Sequence, residues 1–485
     1  MTARVVKLKP ESQSATAAEA ARQFDLLVIG SGPGGHRAAI QAAKLGKRVA
    51  VVERKPDVGG VCISTGTIPS KTLRETILHL SGFRERGVYG ASYMVKPDIT
   101  MADLVFRVGR VIRHEVDVIR HQLLRNKVVL LNASAAFIEP NRVRLSYADG
   151  SSGRDIGAAH FVIATGTSSA LNPRIPFDGQ HVFTSDDMLG LKEMPRRLAV
   201  IGGGVIGCEY ATMFAALGVR VTLIDARERL LPFVDGEVIH SLVYQMQQSR
   251  VTMRLGEAVK EVELDHSLRN GPVRILLDSG KRIYVDKALY CIGRQGATEG
   301  LGLEEAGIAV DERGRIAIDR NYQTSQSHIY AVGDVIGFPS LASTSMEQGR
   351  IAACHAFGMT CEHMPELFPY GVYTIPEIST VGRNEEELTK AGVPYEVGKA
   401  HYREIARGQI IGDTSGFLKL IFHAETRQLL GVHIIGEGAS ELIHIGQAVM
   451  AHNGTIDYFL NTVFNYPTLA ECYKTAAFDG INRLG

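Results

Sequence analysis

The run Asp25-Leu26-Leu27-Val28-Ile29-Gly30-Ser31-Gly32-Pro33-Gly34-Gly35 decides the fold of this chain. Four apolar residues break at a cluster of glycines and an alanine-rich stretch follows, which reads as strand, tight turn and helix. The same grammar returns at Leu198-Ala199-Val200-Ile201, which breaks at Gly202-Gly203-Gly204-Val205-Ile206-Gly207 and enters a second alanine-rich helix. In each copy the next apolar strand, 49–52 or 219–224, ends in an acid, and Glu53 and Asp225 each lie 23 residues after the first glycine of their turn. One G-x-G-x-x-G marks only a corner. Two copies, each between strand and helix and each with an acid near the expected ~20-residue distance, mark two dinucleotide-binding βαβ units. Gly30, Gly32 and Gly35 in one copy, and Gly202, Gly204 and Gly207 in the other, would let a pyrophosphate approach free backbone N–H groups at the positive end of a helix dipole. The acid would accept from a ribose hydroxyl.

Outward from these turns, two more apolar strands end at glycines: 161–164 before Thr165-Gly166, and 329–332 before Gly333-Asp334. They read as returns into the first sheet, which makes the second unit an insertion inside the first. The expected boundaries are a first dinucleotide-binding domain over 24–170 and 295–367, a second over 171–294, and a separate α+β domain over 368–485. That last domain shows short strands near 416–422 and 430–435 and a helix near 441–450. Residues 1–23, rich in Ala, Ser and Gln, are expected to form a flexible tail.

Composition narrows the function. With 53 Lys plus Arg against 52 Asp plus Glu in 485 residues, there is no net field to draw in nucleic acid. No apolar run reaches the ~18 residues of a membrane helix. The six cysteines at 62, 208, 291, 354, 361 and 472 form no CxxC pair, which argues against a disulfide framework and a structural zinc, and for a reducing, cytoplasmic setting. His433, His444 and Glu441 are of ligand type, but no metal spacing emerges and no metal is expected. Two dinucleotide sites in one chain imply a flavoprotein that reads a nicotinamide. At the second site Asp225 favours the 2′-hydroxyl of NAD, whereas Arg227 and Arg229 just beyond it offer charge to the 2′-phosphate of NADP.

These residues, with Gly59-Gly60-Val61-Cys62, Pro69-Ser70-Lys71, Ala164-Thr165-Gly166, Gly293-Arg294 and Tyr330-Ala331-Val332-Gly333-Asp334, resemble the FAD-dependent pyridine nucleotide disulfide oxidoreductases along nearly the whole chain. The resemblance implies two Rossmann-like domains, one inserted in the other, for FAD and then NAD(P), and a C-terminal α+β dimerisation domain. It places Gly30, Gly32, Gly35, Glu53, Cys62, Thr67, Lys71, Gly166, Gly333 and Asp334 at the FAD. Gly202, Gly204, Val205, Gly207, Asp225, Arg227 and Gly293 fall at the NAD(P), with Val205 as the gate of the nicotinamide pocket. Lys71 would pair with Glu209 beside the flavin, as the catalytic residues. Tyr466 and Glu471 would reach the flavin of a partner subunit in a homodimer or larger homo-oligomer.

The family's redox disulfide joins two cysteines separated by four residues. Here Cys62-Ile63-Ser64-Thr65-Gly66-Thr67 ends in threonine, so that disulfide cannot form. The family's histidine, five residues before Glu471, is Tyr466. What is left is the half reaction between nicotinamide and flavin, and the combination resembles the family's soluble, Si-specific transhydrogenases. The implied reaction is NADPH + NAD+ to NADP+ + NADH, reversible, ping-pong at one nicotinamide site. The competing expectations are a diaphorase, quinone reductase or oxidase on the same fold, and a non-catalytic flavin-binding scaffold.

Overall fold

The computed structural model describes residues 23–267 and 271–484, so the expected tail lies outside the described residues except for Gln23. The chain divides into two compact units. The first comprises residues 23–60, 116–167 and 296–364, and the second comprises 61–115, 168–295 and 365–484.

In the first unit, the strands Phe24–Ile29 and Val49–Glu53, buried except at Asp25, lie side by side in parallel, joined by the helix Pro33–Lys44. Strands buried on both faces are apolar throughout, which is why Leu26 to Ile29 shows no alternation. Arg154–Ile163 pairs in parallel with Phe24–Ile29 on its other side, and Ile329–Ala331 pairs with Arg154–Ile163. The two expected returns into the first sheet are therefore both present. Val129–Asn132 pairs in parallel with Val49–Glu53, and an antiparallel extension, Arg142–Ser146 and Ser134–Glu139, completes a seven-stranded sheet.

The second unit contains the second βαβ start. Thr252–Leu255, Arg220–Asp225, Arg197–Ile201, Lys287–Tyr290 and Val182–Thr184 form a parallel sheet in that order. A small antiparallel sheet, Val259–Leu264, Val273–Leu277 and Arg282–Val285, is inserted in sequence between the strands Thr252–Leu255 and Lys287–Tyr290. The same unit holds the C-terminal α+β part, an antiparallel sheet ordered Tyr370–Val372, Ile378–Gly382, Leu429–Ile435, Phe417–His423, Tyr395–His401. Residues 61–115, expected with the first domain, group with this unit. Leu73, Ile77, Leu104 and Val108 from that stretch are buried in one core with Phe183, Leu198 and Phe214. Among the described residues no helix is long and apolar enough to cross a membrane.

Candidate functional site

The first glycine turn shows which of its glycines the chain itself requires. Gly30 adopts φ +101°, and a Cβ there would overlap the Ala164 carbonyl. A Cβ on Gly35 would overlap the carbonyl of Gly30. On Gly32 it would meet nothing nearer than Ala164 O at 4.0 Å. Packing therefore explains the outer two, while the middle one keeps open a space that the protein does not fill and that a pyrophosphate needs. Gly32 is also the N-cap of the Pro33–Lys44 helix and gives it no side-chain cap, and the first turn of a helix leaves N–H groups without intrahelical partners that an anion can take up.

Glu53 is fastened against this turn. Its Oε2 accepts from Ser31 N–H at 3.0 Å and from Ser31 Oγ at 2.6 Å. Thr165 Oγ1 is buried with no hydrogen-bond partner among the described residues, and Gly166, at φ +68°, faces open space. Gly333 N–H donates to Gln348 Oε1 at 2.8 Å, and Thr167 Oγ1 lies 3.5 Å from Asp334 Oδ2. An open glycine, uncapped helix amides, a fixed acid and an orphaned hydroxyl fit a dinucleotide with a polar tail.

The second turn repeats the pattern within the other unit. Gly202 adopts φ +113°, and its Cβ would come within 2.6 Å of Cys291 O. A Cβ on Gly207 would overlap Gly202 O, yet around Gly204 nothing lies within 4 Å. Gly204 caps the helix Val205–Ala216, again without a side-chain bond. Gly293 also faces open space. Val205 packs partly buried against the apolar core of this unit. Cys208 and Cys291 direct their thiols at carbonyls of the turn, to Gly203 O at 3.5 Å and Ile201 O at 3.3 Å. Burial pushes the Cys208 thiol up to about 12, so it stays protonated and serves packing.

Asp225, 8% exposed, takes the place of Glu53. Its Oδ2 accepts from Gly203 N–H, and Arg227 closes on both oxygens, Nε to Oδ1 at 2.9 Å and Nη2 to Oδ2 at 2.8 Å. Burial works to raise the carboxyl, but the bonds from Arg227 and Gly203 outweigh it and hold it below the ordinary carboxylate range. Arg229, expected as a second phosphate ligand, is committed elsewhere: Nη1 to Glu386 at 3.0 Å and Nη2 to the Val234 carbonyl at 2.8 Å. Its guanidinium is thus held on other groups, and Arg227 is the arginine that bonds the acid.

Lys71 and Glu209 come together as expected. The helix Thr67–Leu80 begins after Gly66, and Thr67 and Lys71, four residues apart, share one face of it. Lys71 Nζ donates to Glu209 Oε1 at 2.8 Å and Oε2 at 2.7 Å. Glu209 is only 3% exposed, and its Oε1 also accepts from Tyr373 N–H at 2.9 Å. The Tyr373 ring lies under Lys71, with Nζ 4.8 Å from its centroid. Thr212 Oγ1 accepts from Ile375 N–H at 3.1 Å. Sequence reasoning missed Tyr373 and Thr212, because Tyr373 lies 164 positions after Glu209 and no pattern joins them. Cys62 lies in the short helix Gly60–Ser64, and Thr67 is exposed.

Tyr466 is 75% exposed. Glu471 opens the helix Glu471–Ile481 with Oε2 buried and unpartnered among the described residues. Asp235, Glu237 and Glu385 bring their carboxylates close enough to suggest a cation site, but the cation is built in. The ammonium of fully buried Lys419 binds Asp235 at 3.0 Å, Glu237 at 3.2 Å and Glu385. His433 uses both ring nitrogens, on the Thr380 hydroxyl and the Arg383 carbonyl at 3.1 Å.

Residues 24–349 match the family model described as pyridine nucleotide-disulphide oxidoreductase, and residues 368–477 match the dimerisation domain of that family. A protein of Mycobacterium tuberculosis named soluble pyridine nucleotide transhydrogenase is 51% identical over 463 residues, covering 96% of this chain and 98% of its own length. One of the same name from Yersinia pestis is 45% identical over 465 residues, with 95% and 98% covered. Among solved structures, LpdA from M. tuberculosis superposes with a TM-score of 0.85 at 27% identity, covering 95% of this chain and 99% of that one. The HOCl-induced flavoprotein disulfide reductase RclA from Escherichia coli gives 0.83 at 28%, covering 94% and 99%. With its two glycine turns, their fastened acids and matches that run almost from end to end, the chain belongs to the pyridine nucleotide-disulphide oxidoreductase family.

Proposed function

We propose that the chain is a soluble, Si-specific NAD(P)+ transhydrogenase that carries out NADPH + NAD+ to NADP+ + NADH reversibly, with FAD on the first glycine turn. The observation that carries this reading is Thr67, which stands five positions after Cys62, with four residues between, where a second thiol would complete a disulfide. The names of the 51% and 45% identical relatives support it. When bound, the flavin supplies a two-electron carrier able to accept hydride from one nicotinamide and return it to another.

The chain's own part is binding, orientation and charge. Gly32 and the amides that open the Pro33–Lys44 helix would hold the FAD pyrophosphate, Glu53 a ribose hydroxyl, and Asp334 with Thr165 the polar tail. Gly204 and the Val205–Ala216 helix would hold the pyrophosphate of whichever nicotinamide nucleotide is present. Asp225 would accept from the 2′-hydroxyl of NAD(H), and Arg227 would pair with the 2′-phosphate of NADP(H). Lys71, its Nζ fixed by Glu209, offers a stationary cation that the family resemblance assigns to the flavin side. The dimerisation-domain match at 368–477 and the exposed Val463 and Tyr466 support a homodimer through the C-terminal part.

The test is an oxygen-free assay with NADPH and an NAD analogue of distinct absorbance. Reduced analogue should accumulate without added quinone or disulfide. If the enzyme turns over only when oxygen or a quinone is admitted, it is an oxidase or diaphorase and the assignment fails.

A further inference from the structure

Besides a hydrogen bond to the neighbouring Ser70 Oγ at 3.3 Å, the Lys71 ammonium meets a carboxylate and a ring, and only the first of these is an ion pair. Glu209 fixes where the ammonium sits, but a carboxylate also cancels the charge that Lys71 offers to anything else. The Tyr373 ring, 4.8 Å from Nζ, attracts the cation through its quadrupole without adding a charge. The backbone of the same residue donates to Glu209 Oε1 at 2.9 Å, so Tyr373 grips the acid with its N–H and the base with its ring.

The segment is itself clamped. Arg74 Nε, on the helix that carries Lys71, donates to the Thr374 carbonyl at 3.0 Å. Thr212, on the helix that carries Glu209, takes the Ile375 N–H at 3.1 Å. Thr374 is completely buried. Both helices thus fix the backbone of residues 373–375, and the Tyr373 ring that this backbone carries walls one side of Lys71. Lys71 needs such a wall, since its side chain is 26% exposed and a four-carbon arm with an open side samples several rotamers.

We propose that Tyr373 is a positioning residue: its ring face confines the Lys71 ammonium to one orientation on Glu209. The inference rests on the reading of Lys71 as a functional cation, and its test separates the two. In full-length holoenzyme, Tyr373 is changed to Phe, to Leu, and to phenylalanines of increasing ring fluorination, which keep the shape while draining the quadrupole. Acetylation of Lys71 by acetic anhydride at one fixed pH is read by peptide mass spectrometry, and the rate of flavin bleaching by NADPH is followed in parallel.

Tyr373→Phe should label as the parent does. Tyr373→Leu should label about two- to fivefold faster, as expected for loss of one cation–π contact, and labelling should rise stepwise along the fluorinated series. Labelling that is flat across the fluorinated series overturns the proposal even if Tyr373→Leu fails to fold, as does a Phe variant that labels as fast as Leu. A graded labelling series with unchanged bleaching supports the positioning role and instead overturns the assignment of Lys71 to the flavin.

Discussion

At the residue scale, the nucleotide choice we propose rests on one salt bridge. Asp225 and Arg227 neutralise each other through two contacts, and each is the group the other's preferred nucleotide would take away. Asp225→Ser should weaken NAD+ binding about tenfold or more and leave NADP+ nearly unchanged, because a buried acceptor for the 2′-hydroxyl is lost and no phosphate contact is touched. Arg227→Ala should do the reverse. Equilibrium titration of both nucleotides against each variant checks this, and equal losses for both nucleotides would remove the pair from the ribose. The acid was legible in the sequence because it ends an apolar strand 23 residues after Gly202. Which arginine serves it was not legible, since Arg227 and Arg229 are alike in sequence and differ only in that Glu386, 157 residues from Arg229, occupies one of them. Thr67 needed no structure, as a missing thiol is a fact of composition.

At the scale of elements, the two strand–turn–helix units contain glycines of two kinds, and substitution separates them. A Cβ on Gly207 would overlap the Gly202 carbonyl, so Gly207→Ala should destabilise the protein by several kcal/mol, on the order expected for a backbone overlap in a core. Gly204, with nothing within 4 Å and an ordinary φ of −78°, should accept alanine with little change in unfolding midpoint but lose nicotinamide nucleotide about tenfold or more. A Gly204→Ala protein that binds both nucleotides normally would mean the open space is not the pyrophosphate's. The first helix carries a separate marker in His36, whose Nε2 is buried and unpartnered among the described residues. Burial, assisted by Arg37, brings its imidazole down to about 4. Its neutral form is the one the fold favours, so its contribution is complete above the unfolded value of ~6.5 and is lost as pH falls from there toward 4. His36→Leu should therefore gain stability relative to the parent by about 2 kcal/mol between pH 7.5 and pH 5 in urea unfolding. A difference that does not change with pH would contradict the burial account. None of this was visible in sequence, where His36 is one polar residue in an alanine-rich helix.

At the scale of the molecule, sequence punctuation went far. Strands that end in Thr165-Gly166 and Gly333-Asp334 do return to the sheet begun by Phe24–Ile29, because parallel strands buried on both faces announce themselves as uninterrupted apolar runs. The stretch 61–115 was harder. Its helices are amphipathic, and nothing in a periodic pattern states which core receives the apolar face; Leu73, Ile77, Leu104 and Val108 join the core of Phe183 and Phe214. The segment carrying Lys71 thereby packs in the same unit as Glu209, 138 residues away. With no dithiol, electrons should leave the bound flavin only by the way they entered. An anaerobic rapid-mixing experiment tests it: the holoenzyme is first bleached with one equivalent of NADPH, then mixed separately with NAD+ and with a disulfide such as oxidised lipoamide. The yellow absorbance should return within seconds with NAD+ and stay bleached with the disulfide. Recovery with the disulfide, or no recovery with NAD+, would contradict it.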